Sequence, residues 1–159
     1  MSAAYIMIYT LERKIQLGAS VEQCWDFLRN PANLNIITPP DLQFKIITNV
    51  PEEMYNGLLI EYSIRIPGFG RQKWLTEIKH IRIKHSFIDE QQSGPFRFWN
   101  HYHQLTEIAG GVVSLDRVTY IMPYGFIGTM LHSAFIRKTL DRIFNYREQR
   151  LAQLFPYVY

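Results

Sequence analysis

The sequence predicts an α+β fold of the helix-grip kind, a curved antiparallel sheet of about seven strands around one long C-terminal helix, with two short helices after strand one. Three observations lead there. From residue 42 to residue 122 apolar side chains recur with period two. Short turn signals separate these runs, which implies neighbouring antiparallel strands. The last long segment, Phe126 to Phe155, carries an apolar stripe at helical spacing.

Tyr5 to Leu17 alternates loosely and reads as the first strand, broken by Gly18-Ala19. Ser20 is a good N-cap, and Gln23 completes a capping box for a helix from Val21 to about Leu28. Asn30-Pro31 ends it. A second short helix is expected from Pro31 to Ile37, stopped by Thr38-Pro39-Pro40. Strands follow at Leu42–Ile46, Leu58–Ile66, Gln72–Ile83, His85–Gln91, Phe96–Ile108 and Val112–Met122. Asn56-Gly57, Pro67-Gly68-Phe69-Gly70, Ser93-Gly94-Pro95 and Gly110-Gly111 supply turns.

In the last segment Ile136, Leu140, Ile143, Phe144, Leu151, Leu154 and Phe155 share one third of the helix circumference, with Arg147 in the middle. Arg147 would therefore point between helix and sheet. Ile127, Met130, Leu131 and Ala134 fall on nearly the opposite side. Either the helix breaks or bends between Gly128 and Phe135, or its first turns offer an apolar patch to a partner, a membrane surface or a second subunit.

At 159 residues, the chain is expected to form one domain with room for a core or an enclosed cavity. Ten Phe, ten Tyr and three Trp suit an aromatic cavity wall as well as a bulky core. A net charge of +3 with scattered basic residues is too weak for nucleic-acid binding. Cys24 is the single cysteine, so no intramolecular disulfide can form, which fits a reducing cytoplasm. Tyr5 to Thr10 lacks the features of a signal peptide, and no run approaches the ~20 apolar residues of a membrane span.

Several polar residues share a face with apolar ones. Thr76 lies between Trp74 and Ile78, Asp89 and Gln91 follow Phe87, His101 and His103 sit between Trp99 and Leu105, and Asp116 precedes Val118 and Tyr120. A one-residue shift would turn each set outward. The face holding Trp99 and Leu105 is more apolar than Phe98/Asn100/Tyr102/Gln104, so both histidines are expected inside. For Asp116 the opposing set, Leu115, Arg117 and Thr119, decides less. Buried polar groups must pair, and Arg147 is the obvious partner for Asp116 or Asp89. Three roles remain open: an ion-pair network pinning helix to sheet, a polar patch orienting a ligand's oxygen atoms, or acid–base catalysis by His101 or Asp89. His101 and His103 stand about 7 Å apart along a strand, and zinc would need a third ligand such as Asp89 or Asp116. No metal and no cofactor are expected. GxGxxG, Walker, HExxH and GxSxG motifs are all missing.

Nine pieces, in order, resemble the START-like, Bet v 1-like (SRPBCC) superfamily, and within it bacterial ligand-binding members of the cyclase/dehydrase type. They are Asn35–Pro40, Ile60-Glu61-Tyr62, Trp74–Ile78, Phe87–Gln91, Gly94-Pro95, Trp99–His103, Asp116–Tyr120, Pro123-Tyr124-Gly125 and Ile143–Arg147. The resemblance implies seven strands gripping the C-terminal helix, a deep cavity between, and a hydrophobic small molecule (lipid, polyketide or isoprenoid) inside it. It leaves catalysis open, because fold does not fix function. Where the family patterns recur they include Thr76, Asp89, Gln91, His101, His103, Asp116 and Arg147. Tyr62, Trp74, Trp99 and Tyr120 are expected to complete a ligand-binding wall. Ile127, Met130 and Leu131 would form the cavity mouth, with a transient membrane or subunit contact there. The alternatives are a polyketide cyclase/dehydratase with His101 as base and Asp89 or Tyr120 as proton donor, and a protein-interaction module with a filled core.

Overall fold

The computed structural model describes residues 6–131 and 135–157, without the side chains of Phe126, Thr129 and Leu131. Seven antiparallel strands form one sheet: β1 (Ile8–Leu17), β2 (Lys45–Ile46), β3 (Leu59–Ile66), β4 (Gly70–Arg82), β5 (Ser86–Ser93), β6 (Phe98–Ile108) and β7 (Gly111–Ile121). Their order across the sheet is β1-β7-β6-β5-β4-β3-β2. Helix α1 (Val21–Leu28) follows β1, and α2 (Gly125–Leu131) and α3 (Arg137–Leu154) follow β7. This is the expected α+β helix-grip fold.

Local chemistry places the elements. Ser20 Oγ accepts from Gln23 N while Gln23 Oε1 accepts from Ser20 N, so the capping box that starts α1 is complete. Gly110, with φ of 82°, takes the left-handed position that joins β6 to β7. Inward faces follow the period-two pattern: Ile60, Tyr62, Ile64 and Ile66 on β3, Trp74, Thr76 and Ile78 on β4, Trp99, His101, His103 and Leu105 on β6 are all buried.

Three expectations need correction. The strand expected over Leu42–Ile46 shrinks to Lys45–Ile46, because Pro40–Leu42 forms a 3₁₀ turn and Gln43 enters the left-handed region at φ 47°. The second short helix is a 3₁₀ turn over Pro31–Asn35. Leu154, expected on the buried stripe, is 41% exposed. Of the C-terminal segment the structure describes α2, a π-helical turn at residues 135–136 and α3, and the expected break or bend between Gly128 and Phe135 falls largely on residues outside those described. Tyr5, Ala134 and the Leu131 side chain, each given a place by the sequence pattern, lie outside the described residues.

Candidate functional site

Between the sheet's concave face and α3 lies a cavity of about 110 Å³. Its wall is aromatic. Tyr62 stacks on Trp74 at 5.6 Å, Trp74 meets Trp99 edge-on at 5.1 Å, and Phe96 packs on Trp99 at 4.8 Å and Trp74 at 5.4 Å. The apolar lining is continued by Ile64 and Ile66 from β3 and Leu140 and Phe144 from α3. Asp89, His101, Thr139 and Arg147 interrupt it with polar atoms. A second, smaller space of about 30 Å³ also touches Asp89 and Arg147, together with His103. Asp89 and Arg147 thus stand between the two.

The register of β5, β6 and β7 assembles the polar cluster. Asp89 pairs with His101, Phe87 with His103, and His103 with Asp116. His101 Nε2 lies 2.8 Å and His103 Nδ1 2.9 Å from the same oxygen, Asp116 Oδ1. Arg147 Nε is 3.3 Å from Asp116 Oδ2, an ion-pair distance without hydrogen-bond alignment. Burial alone would raise the Asp116 pKa. The guanidinium of Arg147 and the two imidazole hydrogen bonds outweigh it and hold the carboxyl well below its usual range. Asp116 is therefore an acceptor only, and both facing ring nitrogens carry the hydrogens. With Nδ1 of His103 so occupied, Arg147 Nη2 at 3.4 Å touches that ring without donating to it. Burial and the neighbouring His101 push the His103 pKa down to about 3. His103 is neutral, stacked on Phe87 at 4.2 Å.

Asp89 is the other carboxyl. Burial raises its pKa, partly offset by His101, Thr76 and Arg147. Asp89 lines both the main and the smaller cavity. The Thr76 hydroxyl bonds Asp89 Oδ1 and lies 3.1 Å from the Glu90 carbonyl. When Asp89 holds its proton on Oδ1, it donates to Thr76, and Thr76 donates to that carbonyl, so the hydroxyl makes both bonds with one hydrogen. Trp74 Nε1 is buried with no hydrogen-bond partner among the described residues.

Asp89, His101 and His103 each bring one ligand-type atom within 4.8 Å of the others. The two rings lie 3.7 Å apart at 36°. Imidazole lone pairs lie in the ring plane, so these run side by side instead of meeting. Ligands of one zinc shell at about 2.1 Å from the metal need closer convergence. An ion would require the rings to separate.

Of the residues singled out from the sequence, Tyr62, Trp74, Asp89, Trp99, His101 and Arg147 line the main cavity and His103 the smaller one. Thr76, Gln91, Asp116 and Tyr120 line neither. Thr76 and Asp116 stand behind the residues that do, Gln91 clasps Phe96 through its main-chain N and O, and Tyr120 packs between Tyr9 and Trp99. Sequence reasoning missed Thr139, Leu34 in the 3₁₀ turn, and Ile37 and Thr38 in the bend after it. Thr139 lies about 80° round the helix from Arg147, just off the apolar stripe, so helical spacing gave no signal for it. Of the expected mouth, Ile127 and Met130 are 62% and 59% exposed.

The sequence matches no family model and no curated protein. Solved structures match over nearly the whole chain. A START superfamily protein from Mycobacterium smegmatis is 14% identical at a TM-score of 0.58, covering 91% of this chain and 98% of its own. Norcoclaurine synthase from Thalictrum flavum, a point mutant in complex with a transition-state analogue, is 11% identical at 0.64, covering 96% and 99%. Ginseng major latex-like protein 151 from Panax ginseng is 12% identical at 0.66, covering 93% and 97%. At such identities the likeness is one of fold, and the fold is the START-like, Bet v 1-like one.

Proposed function

We propose that a chain with this fold binds a small hydrophobic molecule in the main cavity and uses Asp89, His101 and Arg147 to hold its oxygen atoms. The observation that carries the reading is an apolar, aromatic-walled space whose lining also includes a carboxyl, an imidazole and a guanidinium. Trp74 Nε1 offers a further donor in the wall. Size narrows the ligand. An engineered cavity of about 150 Å³ takes a benzene ring, so 110 Å³ suits a single ring or short branched chain. A whole lipid, polyketide or isoprenoid would need the wall to part, or would leave most of its length outside. Native mass spectrometry of the protein purified from its own host is expected to show a small co-purifying apolar molecule. The reading fails if neither such a species nor binding of added small aromatic alcohols and acids is found.

A second reading is acid–base catalysis on a carbonyl compound of polyketide type. It is favoured by one observation, the raised pKa of Asp89 next to His101 at the cavity wall. One structural neighbour, norcoclaurine synthase, carries an enzyme's name. His101→Ala is expected to abolish turnover while ligand binding persists. Equal loss of both would leave His101 a binding residue only. A protein-interaction module with a filled core is disfavoured by the cavity itself.

A further inference from the structure

One end of the molecule combines exposed apolar side chains with a charge of one sign. The sheet puts the start of β1, the end of β7, the start of β6 and the β3–β4 turn at the same end as α2. Ile8, Ile121 and Phe98 are consecutive cross-strand partners there, and Ile8 and Phe98 are exposed. Tyr124, Ile127 and Met130 on and before α2 are more than half exposed, and Phe135 lies against the β3–β4 turn at Gly68.

The charges at this end are all positive. Residues 62–76, 91–106 and 117–140 contain not one Asp or Glu. Arg65 and Arg71 face each other across β3 and β4, a placement that like charges disfavour. Arg97 is bonded through its main chain to Ile121, beside Phe98. Arg65, Arg71, Arg97 and Lys138 are exposed and have no carboxylate partner among the described residues. Asp41 and Asp141 are already paired with Arg142 and with Arg13 and Arg137.

From this we infer that the α2 end of the molecule docks onto an anionic lipid bilayer, with Tyr124, Ile127 and Met130 entering the headgroup layer. The surface protrudes from turns and one short helix, which suits a deformable interface. Its cations match anionic headgroups, and its aromatic and aliphatic side chains match the layer beneath. A second copy fits badly, since it would bring like-charged rims together without a carboxylate between them. The inference does not depend on what the cavity holds.

Co-sedimentation with phosphatidylcholine vesicles, with and without phosphatidylglycerol, tests it. Binding is expected only with phosphatidylglycerol and is expected to fall as salt rises. Arg97→Gln and Lys138→Gln should each lower partitioning about fivefold, and Ile127→Asp with Met130→Asp should abolish it. These positions are exposed, so thermal melts should confirm folded variants. Absence of binding to the anionic vesicles, equal binding to both vesicle types, or unchanged binding by the double Asp variant overturns the inference. So does a dimer in solution that the double Asp variant dissolves, because a second copy then covers the surface. Quenching of tryptophan fluorescence by a soluble ligand reports the cavity separately, so failure of one reading is distinguishable from failure of the other.

Discussion

Asp116 concentrates the electrostatics of the interior. One carboxylate oxygen receives two imidazole N–H groups, and the other faces a buried guanidinium. Arg147→Met strands that charge, and a stranded buried charge is expected to cost about 3–5 kcal/mol in denaturant unfolding. The sign of the pH dependence follows from His103. Its pKa is about 3 in the folded chain against 6.5 when unfolded, so the unfolded state binds the extra proton between those values. Stability is then present above about pH 6.5 and is lost as pH falls towards 3, by an amount on the order of several kcal/mol. Asp116, with its lowered pKa, adds loss below about 3.8. Asp89, with its raised pKa, works the other way, favouring the folded state as pH falls from its raised pKa towards 3.8. Thermal melts between pH 7 and 4 should show a falling midpoint, and His103→Gln should flatten it. Which carboxylate takes Arg147 was not readable from the sequence. Both aspartates lie on inward faces, and only the register that sets His103 opposite Asp116 chooses between them.

At the scale of elements, alternation located the inward faces of β3 to β7 because each strand buries one side and the pleat leaves no intermediate choice. It failed at Leu42–Ile46, where two prolines and a left-handed Gln43 outvote three alternating apolar residues. It also said little about Leu34 and Ile37, since a 3₁₀ turn and the bend after it have no long stripe to read. Helix α3 was legible as a stripe but not in its polar member, Thr139, which faces the cavity beside Leu140 and Ile143. Thr139→Leu would put hydrocarbon into that space. It is expected to raise stability by about 1 kcal/mol and to weaken binding of a ring-sized ligand about tenfold, measured by unfolding and by titration.

Across the whole molecule the three tryptophans divide the interior usefully. Trp74 and Trp99 line the main cavity, while Trp25 packs against Phe87 on the far side of the polar cluster. A ligand in the cavity should perturb the emission of the first two. Trp25→Phe should keep the response, and Trp74→Phe combined with Trp99→Phe should lose it. A response that survives the double substitution would place the ligand elsewhere. The shared oxygen of Asp116 also bears on how the sheet assembles. His101 and His103 lie two residues apart on β6, their acceptor lies on β7, and the guanidinium arrives from α3. Sliding β6 past β7 by one residue would turn both imidazoles to the outer face and leave a charged carboxylate in hydrocarbon. The cluster therefore works as a combination lock on strand alignment, penalising near-native pairings that hydrophobic burial alone would tolerate.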